Sequence, residues 1–387
     1  MNDSLKEKLL ERFVKYVQIW SESDSEAADR GIFPSSSRQW DMAKCLEEEL
    51  KALGLKVTVT ENCYVYAFLE GNCGDKDSVL FLAHMDTVDE VTGKNVKPVI
   101  TKEGDDTIIH SDGTTLLGGD DKAGIAAIMT CLEFLTENPD FKHKPVEVIF
   151  SPDEETGHGM DRVPLELIKS KYAFTVDGGS EGEMEAECFN AWSAKVELVG
   201  KACHTGDAKA GGMINAGLMA ADFVSALPKK MRPETTECYQ GFIAVMNTNA
   251  TIEKAVIDLL LRSFSPEEIN KEKKIIEKCA EKTAKKFGGQ YQLAFKQQYL
   301  NMKEKIDENP LVMQRLIKAY QEAGVKINQK PIRGGTDGST LTQKGIPTPN
   351  IFTGAHEFHS RNEWVSLNQM AKASDIVINL TKEDGEN

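Results

Sequence analysis

Four short acidic and histidine-bearing segments punctuate this chain: FLAHMDT (81–87), LGGDDKAG (117–124), SPDEETG (151–157) and TVDGG (175–179). Three of the four follow an apolar stretch that reads as a buried strand. His84 and the carboxylates are therefore expected at strand ends, where open α/β sheets carry their ligand crevices. A clustered set of His, Asp and Glu points to a metal.

The elements around these segments set the fold class. Residues 3–19 read as a helix, and so do 37–53, with Trp40, Ala43, Leu46, Leu50 and Leu53 on one face and Gly54 as the stop. Strands are expected at 56–60, 64–70, 78–83, 146–151 and 172–176, with helices near 122–137 and 164–170 between them. That alternation predicts an α/β fold, a helix-covered mixed sheet. From about Asn190 the rhythm changes to strand 193–199, helix 213–227, strands 241–248 and 254–262, helix 266–287 and strand 291–299. This is the β-α-β-β-α-β order of a small ferredoxin-like domain. Helix 309–323 and the apolar PTPNIF (347–352) resume the first pattern. The expected organisation is a discontinuous larger domain, 1–189 and 300–387, with residues 190–299 inserted as a smaller one, so that site residues come from both flanks of the insert.

Composition narrows the class further. The 387 residues are enough for two domains, and no apolar run approaches the roughly 20 residues that span a bilayer. A net charge of −15 repels nucleic acid and anionic membranes while drawing divalent cations. The N-terminal MNDSLKEKLLERFVKYV is amphipathic and lacks the apolar core and cleavage site of a signal peptide, so a cytoplasmic protein is expected. The eight cysteines form no CxxC pair, which argues against a zinc ribbon, a redox motif or a disulfide framework.

Each motif has a chemical and a plain structural reading. His84 and Asp86 lie two residues apart, on one side of an extended backbone, so one can ligate while the other holds its ring. Alone, they could equally cap a turn. Asp120 and Asp121 precede a helix, where the helix dipole already favours acids, and no GxxxxGK[ST] phosphate loop is present. Asp153, Glu154 and Glu155 follow a buried strand, and three crowded carboxylates repel one another unless a cation neutralises some of them. Adjacent Glu154 and Glu155 project differently, so one can bind metal while the other works on a water. Asp177 adds a fourth strand-end acid, beside glycines that permit close backbone approach.

The series AHMDT, LGGDDKAG, DEETG and VDGG, followed by GKACHTG (200–206), RGGTDGS (333–339) and HSRNE (359–363), resembles metallopeptidases of the M20 clan. Within the clan it is most similar to the peptidase T, or aminotripeptidase, branch, through PSSSRQWDMA, TGKNVKP (92–98), SDGTTLLG (111–118), the FNAWS to GGMINA stretch and NIFTG (350–354). The stretch between His84 and Asp120 is shorter than in the best-known tripeptidases of the branch, which bears on substrate length rather than on the metal site.

That resemblance implies two divalent ions bridged by Asp120, with His84 and Asp177 completing one and Glu155 and His359 the other. Zinc is the first expectation, and manganese and cobalt share the donor set. Glu154 is implied as general base toward a water between the ions, and Asp86 as the group orienting His84. The bond after the bridging Asp, here Asp120–Asp121, is usually cis in the family. His204 is implied to reach across a dimer and stabilise the oxyanion, and Arg333 and Arg262 to clamp a substrate carboxylate. His356 competes with His359; Glu363, four residues beyond His359 as in the family, favours the latter. His110, His143 and His158 read as surface or loop residues, and adjacency rules out a Cys203–His204 dyad. The implied enzyme is a homodimeric exopeptidase removing the N-terminal residue of short peptides, tripeptides first. A dipeptidase or an amidohydrolase of N-acyl amino acids uses the same metal chemistry.

Two other classes compete. Gly178 to Gly182 match GxSxG around Ser180, and Asp337 and His359 follow in serine-hydrolase order. That elbow needs a helix directly afterwards, whereas the chain runs through EGEMEAECF into an expected strand. A metal-binding module without activity is disfavoured because the expected base, Glu154, is present.

Overall fold

The computed structural model describes residues 1–74 and 77–383. The chain divides into two units: Met1–Ala186 with Met302–Lys330 and the chain from Thr336 onward, and Glu187–Asn301 with Pro331–Gly335. The short stretch 331–335, expected in the larger unit, groups with the smaller one. Before the second unit begins, the first contributes β1 (Lys56–Val59), β2 (Val65–Leu69), β3 (Val79–His84), β4 (Val99–Glu103), β5 (Asp106–His110), β6 (Val146–Ser151), β7 (Ala173–Gly178) and β8 (Glu183–Glu185). The second unit carries β9 (Asn190–Val199), β10 (Phe242–Ala250), β11 (Lys254–Ser263) and β12 (Gln290–Tyr299). The first then resumes with β13 (Asn328–Gln329), β14 (Asn350–Phe352), β15 (Ala355–His356) and β16 (Trp364–Ser366).

The first unit is built on an eight-stranded sheet ordered β1-β2-β6-β3-β7-β14-β8-β13. At its centre β6, β3, β7 and β14 run parallel, while β1, β2 and β8 pair antiparallel to neighbours, so the sheet is mixed. VLFLAH and VEVIFS are buried at every residue, as strands covered on both faces must be. Helix Gly119–Glu137, Ala- and Ile-rich and buried around most of its circumference, packs on β3 and β7. Helices Asp3–Val17 and Leu367–Thr381 pack against it. Asn2 caps the first of these, its side chain accepting the Leu5 N–H at 2.9 Å, and Leu5, Leu9, Phe13 and Val17 form the buried stripe at the i, i+4 spacing of a core-facing helix.

Three details depart from expectation. Helix Gln39–Ala52 buries Gln39, Met42, Ala43, Leu46 and Leu50, and leaves Trp40 37% exposed. Trp40 lies a hundred degrees around the helix from the inner stripe, and a buried polar residue takes the place expected of it. Residues 164–170 hold only a 3₁₀ turn, Leu165–Leu167, directly after Pro164. The expected helix at 213–227 starts at Ala216, where the Asn215 side chain caps it by accepting the Leu218 N–H at 3.2 Å. A small second sheet in this unit, ordered β15-β16-β5-β4, has too little apolar alternation to be read from the sequence. It brackets the segment 357–363.

The second unit is a four-stranded antiparallel sheet ordered β10-β11-β9-β12. Helices Ala216–Ala226 and Pro266–Phe287 complete the β-α-β-β-α-β order of a ferredoxin-like fold. Along β11 burial alternates strictly, with Ala255, Ile257, Leu259 and Leu261 meeting Ile269, Ile276 and Ala280. One face of the sheet is therefore core. Among the described residues no helix is long and apolar enough to cross a membrane.

Candidate metal centre

Three neighbouring parallel strands deliver their carboxyl ends to one place. His84 closes β3 and pairs in register with Ser151, the end of β6, so the turn Asp153–Glu155 leaves the sheet beside it. On the other side Leu82 pairs with Thr175 of β7, which brings Asp177 level with His84. Asp120 enters from the start of helix Gly119–Glu137, where the Asp120–Asp121 peptide bond is cis. His359 comes from the loop between the paired strands β15 and β16, with its backbone in the left-handed region at φ 56°.

The Asp120 carboxylate is shared between two histidines. Its Oδ1 lies 2.9 Å from His84 Nε2, and its Oδ2 lies 3.2 Å from His359 Nε2. Each histidine faces a second acid through the same nitrogen: His84 Nε2 is 3.5 Å from Asp177 Oδ1, and His359 Nε2 is 3.1 Å from Glu155 Oε2. Two donor clusters thus meet on one carboxylate.

Behind them, Asp86 is fully buried and works in two directions. Its backbone carbonyl lies 3.0 Å from His84 Nδ1, and its carboxylate 3.4 Å from the same nitrogen. The carboxylate also accepts the N–H groups of Glu154, at 3.0 Å on Oδ1, and of Glu155, at 3.2 Å on Oδ2. The imidazole and the acidic turn are fixed by one residue.

Electrostatics mark the cluster as built for cations. Burial, reinforced by Asp177, Asp337 and Glu155 and opposed by His84, holds the Glu154 carboxyl well above the usual range. Burial and then Asp120 push Glu155 up to about 8, and burial takes Asp177 to about 6. Asp120 is equally buried, yet hydrogen bonds from His359 and His84 hold it well below the usual carboxylate range. Hydrogen bonds to Asp120 and Glu155 raise His359 to about 11. Glu155 Oε1 is buried with no hydrogen-bond partner. An orphaned carboxylate oxygen among mutually repelling acids is costly unless a cation takes it, so this donor set fits divalent metal.

Compact donor groups here comprise His84, Asp120 and Glu155, and His84, Asp121 and Asp177, each with ligating atoms within 4.8 Å of one another. Asp121, which sequence reasoning left without a role, has both oxygens in use: Oδ2 accepts the His84 N–H and Oδ1 the Gly124 N–H, each at 3.2 Å. We therefore read it as a backbone anchor rather than a ligand. Asn350 is a further anchor that the sequence does not mark: it accepts the Asp177 N–H at 3.0 Å and donates to Glu185 at 2.7 Å. A buried Asn in an apolar strand offers no signal in sequence.

The remaining histidines lie apart from the cluster. His356 stacks on Trp364 with ring centroids 3.9 Å apart and hydrogen-bonds Gln369. His143, expected on the surface or in a loop, lies in the loop before β6 and is buried, with Nδ1 2.8 Å from the Lys144 carbonyl. His110 ends β5, and His158 pairs with Asp161. Ser180 is followed by β8 rather than a helix, its nearest histidine is His356 at 3.4 Å, and Asp337 bonds to Ser151. The residues of the serine-hydrolase alternative are not assembled.

Three expected substrate residues belong to the second unit. His204 has a side chain 79% exposed, with Asp207 3.6 Å from Nδ1. Arg262 donates to the Leu261 and Trp192 carbonyls and lies over the Tyr299 ring. Arg333 binds the loop 236–240, with Nη1 donating to the Cys238 and Gln240 carbonyls at 2.7 and 2.8 Å and Nη2 to Thr236 Oγ1 at 3.0 Å. That guanidinium is largely committed to its own unit.

Residues 80–383 match peptidase family M20/M25/M40. The chain belongs to this family. Among M20 relatives, a Peptidase T from Clostridium perfringens strain SM101 is 41% identical over 97% of this chain and 98% of its own length. An aminopeptidase PepT from Bacillus cereus has a similar structure, with a TM-score of 0.80 at 25% identity over 97% of this chain and 98% of that one. A tripeptidase from Staphylococcus aureus superposes with a TM-score of 0.83 at 24% identity and the same coverage.

Proposed function

We propose that this M20 chain is a two-metal aminopeptidase that removes the N-terminal residue of short peptides, with tripeptides the preferred length. The observation that carries the reading is the division of the Asp120 carboxylate between His84 and His359, each paired with its own second acid. The similarity to Peptidase T chains supports the substrate class.

His84, Asp120 and Asp177 would hold one divalent ion and Asp120, Glu155 and His359 the other, zinc being the first expectation with manganese and cobalt as alternatives. Such a pair supplies a nucleophile at neutral pH and polarises the scissile carbonyl. Glu154 accepts the proton of the attacking water and passes it to the departing amine. Asp86 keeps the His84 ring aimed with Nε2 toward the cluster. From the second unit we propose His204 as the donor that stabilises the oxyanion, and Arg262, with Arg333, as the cationic side for the substrate carboxylate.

We also propose a cytoplasmic homodimer in which the second unit acts as lid and dimerisation domain. The eight cysteines, all free, suit a reducing compartment. The test of the activity is a panel of di-, tri- and tetrapeptides with free and acetylated N-termini, run with and without EDTA. Cleavage of free tripeptides that chelation abolishes is expected. Equal cleavage of acetylated peptides would point instead to an amidohydrolase, and activity surviving chelation would remove the metal mechanism.

A further inference from the structure

Asp153 is the residue of the acidic turn whose side chain neither joins a donor cluster nor is read as the base. Its backbone is left-handed, with φ 59°, and its buried carboxylate is filled from one segment of chain. Oδ2 accepts the Ser35 N–H at 2.7 Å, and Oδ1 accepts the Gln39 amide at 2.6 Å together with the Ser35 hydroxyl. Gln39 reciprocates, its Oε1 accepting the Asp153 N–H at 3.0 Å. Fully buried in the first turn of helix Gln39–Ala52, Gln39 therefore grips both the side chain and the backbone of Asp153.

A left-handed aspartate persists only where its surroundings hold it. From that bend the next two N–H groups turn onto Asp86. The two glutamates that follow are not equally supported. Glu155 Oε2 meets His359 at 3.1 Å, whereas no described residue hydrogen-bonds the Glu154 carboxylate. The hydrogen bonds that hold Glu154 are thus those of the turn's backbone.

We propose that Gln39 is a positioning residue for Glu154, acting through Asp153: by holding the bend left-handed it aims the general base. The proposal rests on the reading of Glu154 as base. Its test compares wild type, Gln39→Ala, Asp153→Gly and the double variant for kcat and KM on a free tripeptide, bound metal per chain, and amide hydrogen exchange across residues 152–157. Gln39→Ala is expected to lower kcat on the order of 10²-fold, as small misplacements of a catalytic group do, with KM and metal content unchanged and faster exchange in the turn. Glycine adopts the left-handed bend without a clamp, so Gln39→Ala should cost little more in the Asp153→Gly background. Gln39→Met, which keeps the buried volume, carries the test if the alanine variant does not fold.

Unchanged kcat, unchanged exchange, an equal further loss in the Asp153→Gly background, or metal lost in step with activity would each overturn the proposal. A wild type inactive on every peptide would instead overturn the proposed function, and the exchange comparison would still report on the clamp.

Discussion

Glu363 Oε1 accepts the backbone N–H of Asp120 at 2.9 Å, while its Oε2 takes the N–H groups of Leu117 and Gly118 at 2.9 and 2.7 Å. One buried carboxylate, four residues beyond His359, thus holds the loop that presents the shared acid. Removing it unties Asp120 and leaves three buried donors unpaired. Glu363→Ala is expected to lower metal affinity or activity by about 10–100-fold, as loss of an outer partner does at other metal sites. Metal titration of the stripped protein measures this, and wild-type affinity in the variant would show that the loop holds itself.

Glu154→Gln separates binding from chemistry. The amide keeps the shape of the side chain but cannot take a proton, and the donor clusters do not include it. Turnover should fall by roughly 10²–10⁴-fold with metal content intact. Steady-state kinetics beside elemental analysis decides it; full activity would remove Glu154 as base.

Gly124 marks a close approach of helix Gly119–Glu137 to β7. A methyl group there would come 1.8 Å from the Val176 carbonyl oxygen and 2.4 Å from Asp121 Oδ1. Backbone on one side and an anchored carboxylate on the other leave nothing flexible to yield. Gly124→Ala should destabilise the protein by about 1–3 kcal/mol or more. Chemical denaturation measures this, and a wild-type midpoint would mean that the helix can shift.

Glu272 ties stability to pH in the second unit. Buried on helix Pro266–Phe287 and hydrogen-bonded by Ser263, its carboxyl is pushed up to about 8 by burial. An unfolded glutamate titrates near ~4.3. Between those values the folded chain holds the extra proton, so its contribution is full below the lower value and is lost as pH rises through the upper one. Glu272→Gln cannot ionise, and its melting temperature relative to wild type should climb by roughly 2–4 °C for each kcal/mol recovered as pH goes from 5 to 8. A constant difference across that range would show that Glu272 is already ionised at the lower pH.

Much of the first unit and its donor cluster was legible because buried parallel strands are written as unbroken apolar runs. His84, Asp177 and the turn Asp153–Glu155 stand directly after such runs, and their convergence follows from strand order β6-β3-β7. Trp40 turns outward because the inner place goes to Gln39, whose partner Asp153 is far along the chain, so hydrophobicity alone does not mark the inward face. His143 lies in a loop, one of the two places expected of it, yet is buried there, its backbone N–H and ring both finding partners. Asn350 and Asp121 were illegible because an anchor is defined by the backbone it grips. Pairwise spacing carries no trace of that.

The placement of His359 and Glu363 beyond the second unit has a consequence for biosynthesis. A chain emerging residue by residue exposes His84, Asp120, Glu155 and Asp177 long before the loop that joins and steadies them, because the whole of the second unit is made in between. Until then the growing polypeptide holds a crowd of acids without the second histidine or the Glu363 clamp. Of the two proposed donor sets, that of His84, Asp120 and Asp177 is therefore made early, and that of Asp120, Glu155 and His359 is completed only with this loop.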